Sequence, residues 1–226
     1  MQYKGEFGGG IGTSSYMGQI KGGFKSYKAN FNLFYKKFLS ENFSVRFNYE
    51  YVPLTANDAF SKQKQIIERD FNFYRTFHEF NFMFEYFFKD VKYLNSENHV
   101  IPYVGVGFGY LLNVPTNKNN FITYTSDIQK YTEQFWPICT MPINFGLNYR
   151  LKNNINLLSE VTFRFTTSDL LDNFSATDPI TTANGIFNAK NSGNDKFYSI
   201  KFGVSKSLFN LYGLDKSKKK KKGRGF

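Results

Sequence analysis

The sequence has few of the residues on which metal proteins and disulfide-stabilised domains depend. Its 226 residues include one cysteine and two histidines. A single cysteine excludes an internal disulfide framework and any CxxC-type zinc or redox site, and two histidines are too few for most metal sites. We therefore expect no metal and no cofactor, and we interpret Cys139 as a small apolar residue on a strand face.

Long hydrophobic runs are missing as well. A membrane-spanning helix needs about 18 or more consecutive apolar residues, and the sequence contains no such run. This excludes a protein that spans a membrane with helices, but it does not exclude one that spans it with strands of alternating polarity. The mean hydropathy of −0.44 is compatible with such strands.

Alternation of apolar and polar residues is what the sequence has in abundance, together with 28 Phe and 16 Tyr residues. In residues 43–51, aromatic and β-branched side chains occupy every second position and polar ones the positions between them. A period of two is typical of a strand with one apolar face. Eight stretches show this pattern and are predicted strands: 3–12, 29–38, 43–52, 70–88, 99–113, 138–150, 155–166 and 196–208.

The gaps between these strands alternate long and short, which is typical of a transmembrane barrel with periplasmic termini. We predict an eight-stranded antiparallel outer-membrane β-barrel over residues 1–209, followed by a basic periplasmic tail over 210–226. The long connections, expected to be extracellular, are 13–28, 53–69, 114–137 and 167–195. The shorter periplasmic turns are 39–42, 89–98 and 151–154. Because such a barrel must be exported and residues 1–20 lack a secretory signal pattern, we expect that a leader has been removed.

Alternation alone does not tell which face meets lipid, since a soluble lipocalin-like barrel has the same period. The polar face carries many glycines, and missing side chains are an advantage only in a crowded interior, so this face is expected to point into the barrel. It also carries five basic and five acidic residues, which would pair into a hydrogen-bonded plug in so narrow a barrel. The predicted interior network is Glu6, Arg46, Glu50, Arg75, Glu79, Glu85, Arg150, Glu160, Arg164 and Lys201.

Motifs that carry chemistry are weak. The glycine runs at 8–12 and 105–109 lie within predicted strands and are followed by no helix, so they do not indicate a nucleotide site. His78 and Glu79 are neighbours in one strand and point to opposite faces, so they cannot act as an acid and base pair. A lipid-modifying barrel enzyme using Ser168 or His78 stays open as a minor alternative, although no catalytic triad is evident.

A block of like charge ends the chain. From residue 215 onward there are seven Lys or Arg and one Asp. The rest of the chain has 22 basic and 17 acidic residues, so about half of the net charge of +11 lies in this segment. Such a block is disordered alone; it either remains a solvated appendage or docks onto an anionic periplasmic surface. Without interleaved aromatics it does not indicate nucleic-acid binding. Its basic residues are Lys216, Lys218, Lys219, Lys220, Lys221, Lys222 and Arg224.

Several segments together resemble the PorG outer-membrane barrels of the type IX protein secretion system of Bacteroidota. The resemblance covers about residues 5–208. It is carried by 7–18 (FGGGIGTSSYMG), 69–73 with 79–82 (RDFNF and EFNF), 101–109 (IPYVGVGFG) and, most specifically, 160–175 (EVTFRFTTSDLLDNFS). The last segment is similar to the family signature Glu-x-x-x-Arg followed by Thr-Asp-Tyr-Leu-Asp-Asp-Val-Ser, with departures at Leu170 and Asn173.

The resemblance implies a non-enzymatic component of the secretion apparatus that ties a periplasmic ring, formed by a lipoprotein and its partner, to the outer membrane. A plugged barrel would have to act through its rims, loops or tail. A general surface, adhesion or membrane-integrity barrel that works through its outer loops is the alternative. The partner-binding candidates are Glu41, Lys152, Asn153, the turn at 89–98 and the basic tail. The loop motif is Asp169, Leu170, Leu171, Asp172 and Ser175, in which the two aspartates are expected to order the start of the last long loop.

Overall fold

The computed structural model describes residues 5–18, 26–60, 67, 72–89, 100–113, 137–151, 154–168, 171, 179–182, 185–188 and 194–208. Ten strands are present in these ranges. They are β1 (Gly5–Met17), β2 (Lys28–Phe38), β3 (Phe43–Asn57), β4 (Asn72–Phe87), β5 (Val100–Asn113), β6 (Ile138–Arg150), β7 (Ile155–Thr166), β8 (Pro179–Thr182), β9 (Gly185–Asn188) and β10 (Lys196–Ser207). A short 3-10 turn, Asp58–Phe60, follows β3.

Eight of the strands form a closed barrel in the order β1-β10-β7-β6-β5-β4-β3-β2. Every neighbouring pair is antiparallel, and the barrel closes where β1 pairs with β10 from Glu6↔Ser207 to Met17↔Lys196. Each strand is therefore bonded on both sides, which removes the exposed edges that an open sheet would leave. The predicted eight-stranded antiparallel barrel is confirmed.

Two strands run further than the alternation predicts. β1 continues to Met17 rather than ending at residue 12, and its extension pairs with β10. β3 continues to Asn57 rather than ending at 52; it pairs with β4 throughout, but its last residue paired with β2 is Tyr51. Pro53, at which the sequence pattern stops, thus lies beyond the part of β3 that β2 covers. A missing N–H is tolerated at such a strand edge.

The long connection 167–195, for which no strand is predicted, contains the hairpin β8–β9. Each strand has four residues, and they are joined by residues 183–184. So short an element offers too few alternating positions to be recognised from periodicity.

The barrel has two ends that differ in their connections. We call the end at which β1 finishes and β2 begins the loop end, and the opposite end, with the connections 39–42 and 151–154, the turn end. Along the middle of the barrel strands, buried residues alternate with more exposed ones, as in the burial pattern of β2. Among the described residues, no helix is long and apolar enough to cross a membrane.

Two apolar clusters occupy the interior, one at each end. The loop-end cluster includes Tyr16, Val52, Leu54, Ala56, Phe73, Phe77, Leu111, Ile138, Leu171 and Phe197. The turn-end cluster consists of Phe34, Phe38, Phe87, Ile101, Tyr103 and Leu158. The space between them is lined by polar and charged side chains.

Candidate functional site

A chain of eight alternating charges runs through the middle of the barrel. Successive contacts join Lys36 Nζ to Glu85 Oε2 (2.9 Å), Glu85 Oε1 to Arg46 Nε (3.1 Å), Arg46 Nη1 to Glu160 Oε2 (2.7 Å), Glu160 Oε1 to Lys201 Nζ (3.2 Å), Lys201 Nζ to Glu50 Oε2 (2.6 Å), Glu50 Oε2 to Arg164 Nη2 (2.6 Å) and Arg164 Nε to Glu79 Oε2 (2.6 Å). Four cations thus alternate with four carboxylates, and the chain as a whole is neutral.

Burial makes this alternation necessary. None of the eight side chains is more than 5% exposed, and an isolated charge in such a place would cost several kcal/mol. Here each inner member of the chain has an oppositely charged neighbour on both sides. Hydroxyl groups satisfy further carboxylate oxygens: Tyr103 donates to Glu160 (2.7 Å) and Ser44 to Glu85 (2.9 Å). The network is a neutral, hydrogen-bonded filling of the lumen.

Lys36 is the member that the sequence interpretation missed. It lies between Tyr35 and Lys37, and because two lysines are adjacent, the charge pattern alone does not show which of them points inward. The period of β2 does show it, since Asn32 and Phe34 share its parity and are buried. Extending that parity by two residues would have placed Lys36 inside.

The remaining three residues of the predicted network lie at the barrel ends. At the turn end, Asn156 bridges two of them: Arg150 Nη1 donates to its Oδ1 (2.9 Å), and its Nδ2 donates to Glu6 Oε1 (2.9 Å). At the loop end, Arg75 Nη1 donates to the Leu171 carbonyl (3.4 Å). All ten predicted residues therefore line the interior, but only seven belong to the central chain.

Aromatic rings lie against members of the central chain near both of its ends. The ammonium of Lys36 lies 5.0 Å from the centre of the Phe87 ring and 4.9 Å from that of Tyr103, in the turn-end cluster. At the other end, the Arg164 guanidinium lies 5.0 Å from the centre of the Phe197 ring. A cavity beside Arg46 and Lys201 has a volume of about 10 Å³, about the space of one water molecule. Within the described part of the chain, ions and rings fill the lumen from one cluster to the other.

Close packing also explains an inward glycine. A Cβ atom at Gly146 would collide with the Tyr103 ring. The missing side chain lets Tyr103 lie flat in the lumen, where it stacks on Phe87 with ring centres 5.1 Å apart and reaches Glu160. Glycine is needed here for space.

At the loop end, the side chain of Asp195, at the end of the 167–195 connection, binds the start of the same connection. Asp195 accepts a hydrogen bond from Tyr16 Oη (2.5 Å) and another from the backbone N–H of Leu171 (2.9 Å). Leu171 is fully buried in the loop-end cluster. The sequence interpretation did not include Asp195, because nothing in a loop of irregular polarity indicates which aspartate points inward.

Most of the predicted loop motif lies outside the described residues. Of its members, Leu171 is described, whereas Asp169, Leu170, Asp172 and Ser175 are not. The expectation that Asp169 and Asp172 order the start of this loop stays a prediction. In the described residues, Asp195 binds the start of this loop through the backbone N–H of Leu171.

The turn-end candidates divide in the same way. Glu41 is half-buried in the turn between β2 and β3, where Ser40 Oγ accepts a hydrogen bond from the Phe43 N–H (3.1 Å) and Asn42 Nδ2 donates to the Phe87 carbonyl (3.0 Å). Lys152, Asn153, residues 90–98 and the basic tail lie outside the described residues. Asn154, the first described residue after Leu151, has a positive φ of 62°.

The residues considered for catalysis are not brought together. His78 faces outward and its Nδ1 lies 2.6 Å from Tyr49 Oη. Ser168 lies at the loop end, where its carbonyl accepts from the Asp195 N–H (3.0 Å). No hydrogen bond joins Ser168 to His78. In the ranges that the structure describes, there is also no group of three or more His, Cys, Asp or Glu residues arranged to hold a metal ion.

The outside of the barrel is an apolar belt bounded by lysines. In the described strands, the only charged side chains at outward positions are Lys37, Lys196 and Lys206, all near strand ends. The last two lie ten residues apart on β10. At a rise of about 3.3 Å per residue and a tilt of about 40°, that separation is about 25 Å along the barrel axis. This equals the height of the apolar band of outer-membrane barrels, about 25 Å.

Comparison with known proteins agrees with this architecture. Residues 2–208 match the family described as domain of unknown function DUF6089. The chain belongs to this family. The matched range includes all eight barrel strands and excludes the basic tail. None of the curated proteins compared with the sequence matches it.

The structure is similar to solved structures of outer-membrane proteins. Neisserial surface protein A (NspA) superposes with a TM-score of 0.53 at 8% identity, covering 89% of this chain and 96% of that chain. OprG from Pseudomonas aeruginosa gives 0.48 at 8% identity, covering 92% and 98%, and Ail of Yersinia pestis gives 0.42 at 10%, covering 92% and 100%. At this identity, the likeness to NspA shows the fold and not an activity.

Proposed function

We propose that the protein is a non-enzymatic outer-membrane barrel that anchors or assembles the periplasmic lipoprotein ring of a type IX secretion apparatus. The observation that carries this proposal is the filled lumen. The neutral chain of buried ion pairs between the loop-end and turn-end clusters leaves no room for a cargo. The barrel therefore has to act through its surfaces.

The outer membrane is the location that the exterior supports. An apolar belt about 25 Å high suits a bilayer core, and a buried charge network suits the inside of a small membrane barrel. The turn end, with its short connections, is the periplasmic end in this proposal, and the loop end is extracellular. Both termini then lie in the periplasm.

The assignment to type IX secretion rests on the segments that resemble the PorG family. Two residues of the most specific segment, Glu160 and Arg164, belong to the central charge chain. Leu171 of the same segment packs in the loop-end cluster. These three residues of the 160–175 segment therefore contribute to the filling of the barrel. The ring would contact the turn end, through the 39–42 turn with Glu41, through Lys152 and Asn153, and through the basic tail.

Site-specific cross-linking in native membranes tests this proposal. In a Cys139→Ser background, a photo-reactive group is attached at Glu41→Cys on the turn end. We expect adducts that contain the ring lipoprotein or its partner, identified by mass spectrometry. The matched control is Ala59→Cys in the exposed 3-10 turn of the loop end, where no such adduct is expected.

The outcomes separate clearly. Ring proteins captured from position 41 and not from position 59 support the proposal. If position 59 captures the ring proteins, the orientation is reversed. If neither position does, and the barrel is recovered alone in gentle detergent, the anchoring function is wrong.

A surface barrel of the adhesion or membrane-integrity type is the second candidate. It is favoured by two features of the described residues at the loop end. β3 extends past β2 towards β1, where Ser14 Oγ donates to the Pro53 carbonyl (2.6 Å). The last connection contains the hairpin β8–β9. Deleting residues 172–193 would then abolish the phenotype of the protein, whereas removing 210–226 would not. The anchoring proposal expects a defect on removal of the tail.

A further inference from the structure

A groove runs along the outside of the barrel over β1. Most outward positions in the belt carry large side chains, but the outward residue in the middle of β1 is Gly9. It pairs with Leu33 of β2 on one side and with Val204 of β10 on the other. The groove has a volume of about 590 Å³, and its outer lining also includes Ile11, Phe31, Leu157 and Phe202. Ligand sites typically have volumes of about 300–1,000 Å³.

Two lysines flank the turn end of this groove. Lys37 of β2 pairs with Gly5, and Lys206 of β10 pairs with Phe7, so the two lie on opposite sides of β1. From the strand spacing and rise, their Cα atoms are about 12 Å apart. Both are exposed, and neither forms an ion pair with another described residue.

A third polar group lies between them. Tyr35 of β2 leans over Gly5, since a Cβ atom at Gly5 would be 2.6 Å from the Tyr35 hydroxyl. Two ammonium groups and one hydroxyl thus surround the end of β1, at the depth where the apolar belt ends. These are donors for an anion, whereas the groove beyond them is apolar.

We propose that this surface binds one anionic glycerophospholipid of the periplasmic leaflet. Lys37, Lys206 and Tyr35 hold its phosphate, and an acyl chain lies in the groove over Gly9. Lysines bind phosphate as point charges, and each basic residue near an anionic membrane surface contributes about 1 kcal/mol. The site would hold one lipid at the seam where the first and last strands of the barrel meet.

Charge and shape favour this occupant over a second copy of the chain. In a two-fold interface centred on β1, residues of one patch meet the same patch of the partner. The lysines would then approach their own equivalents or the apolar belt, without a described carboxylate on the outer face to pair with. A phospholipid supplies both the negative charge and the apolar chain in the right order along the barrel axis.

Native mass spectrometry of the full-length protein tests the proposal. The protein is extracted from its own membrane in gentle detergent, delipidated, and titrated with dioleoyl phosphatidylglycerol. We expect one tightly bound lipid per barrel. Lys37→Met with Lys206→Met should weaken its binding about 30-fold, which corresponds to the loss of two contributions of about 1 kcal/mol. Lys196→Met, at the opposite end of the belt, is the matched control and should leave the binding constant unchanged.

A second pair of variants tests the groove without changing charge. Gly9→Leu should exclude the acyl chain, and Val204→Phe, which fills the same groove from β10, replaces it if the backbone at Gly9 does not accept a side chain. Thr13→Leu, outward on β1 but outside the groove, is the control. Equal lipid binding by the wild type and the Lys37, Lys206 double variant would overturn the proposal. So would a lipid-free dimer that Gly9→Leu disrupts, because the groove would then be an interface between copies.

Discussion

Neutralising Glu160 tests the central charge chain at its best-connected member. Its carboxylate accepts hydrogen bonds from Arg46 (2.7 Å), Tyr103 (2.7 Å) and Thr162 (3.0 Å) and lies 3.2 Å from Lys201. Glu160→Gln keeps the shape and part of the hydrogen bonding. It leaves four buried cations facing three carboxylates.

The expected cost follows from what the two cations retain. Removing one partner of a buried pair costs about 3–5 kcal/mol. Arg46 keeps Glu85 at 3.1 Å, and Lys201 keeps Glu50 at 2.6 Å. We therefore expect a loss at the lower end, about 3 kcal/mol of the free energy of unfolding. Lys201→Met should cost a similar amount, because it leaves an excess carboxylate.

The double variant Glu160→Gln with Lys201→Met restores neutrality, so its loss should be smaller than the sum of the two single losses by about 2 kcal/mol. Urea unfolding of the barrel refolded into lipid vesicles, followed by circular dichroism, measures all three. Glu41→Gln, in the half-buried turn, is the control and should change stability by less than about 1 kcal/mol. The reasoning is wrong if Glu160→Gln is as stable as the wild type, or if the losses simply add.

Three further predictions concern the loop end, the outer belt and the packing of the lumen. Leu171→Ala should cost about 2–5 kcal/mol and expose the 167–195 connection to limited proteolysis; an unchanged cleavage rate would contradict its role in the cluster. Val106→Arg, in the middle of the belt, should destabilise vesicle-inserted protein by about 2–4 kcal/mol and Val100→Arg, near the turn end, by at most about 1; equal costs would exclude a lipid-facing belt. Gly146→Ala should cost about 1–3 kcal/mol, as measured by urea unfolding, and most of this loss should disappear in a Tyr103→Leu background.

The fold could be predicted because a membrane barrel imposes a period of two on every strand. That period also placed the ten charged residues inside, since each of them shares parity with buried neighbours. The eight alternating stretches predicted the number of barrel strands, and the alternating lengths of the connections predicted that the strands run up and down in turn.

The pairing inside the lumen could not be predicted in the same way. Glu160 and Arg46 are 114 residues apart, and they meet across the lumen because strand register and tilt bring β7 and β3 to the same level. Register also depends on where each strand ends. The sequence pattern ends β3 at Val52, but the strand continues past Pro53 to Asn57, because β2 no longer covers it there and a missing N–H is tolerated. Lys36 was missed because the adjacent Lys37 has the same chemistry and only parity separates them.

The loop end was the least predictable region. Asp195, Tyr16 and Leu171 come together through tertiary contacts of residues that follow no period. Their local sequence contains turn-forming residues, but turn chemistry does not tell which of several aspartates faces the interior.

Single-channel recording tests the central claim most directly, namely that the lumen is filled and the protein acts at its surfaces. Purified wild-type protein is inserted into planar bilayers, with insertion verified by protease protection of the belt. We predict no ion conductance from the wild type. Stable, ohmic conductance steps from the inserted wild-type barrel would contradict the account, because they would require an open aqueous path where the charge chain lies.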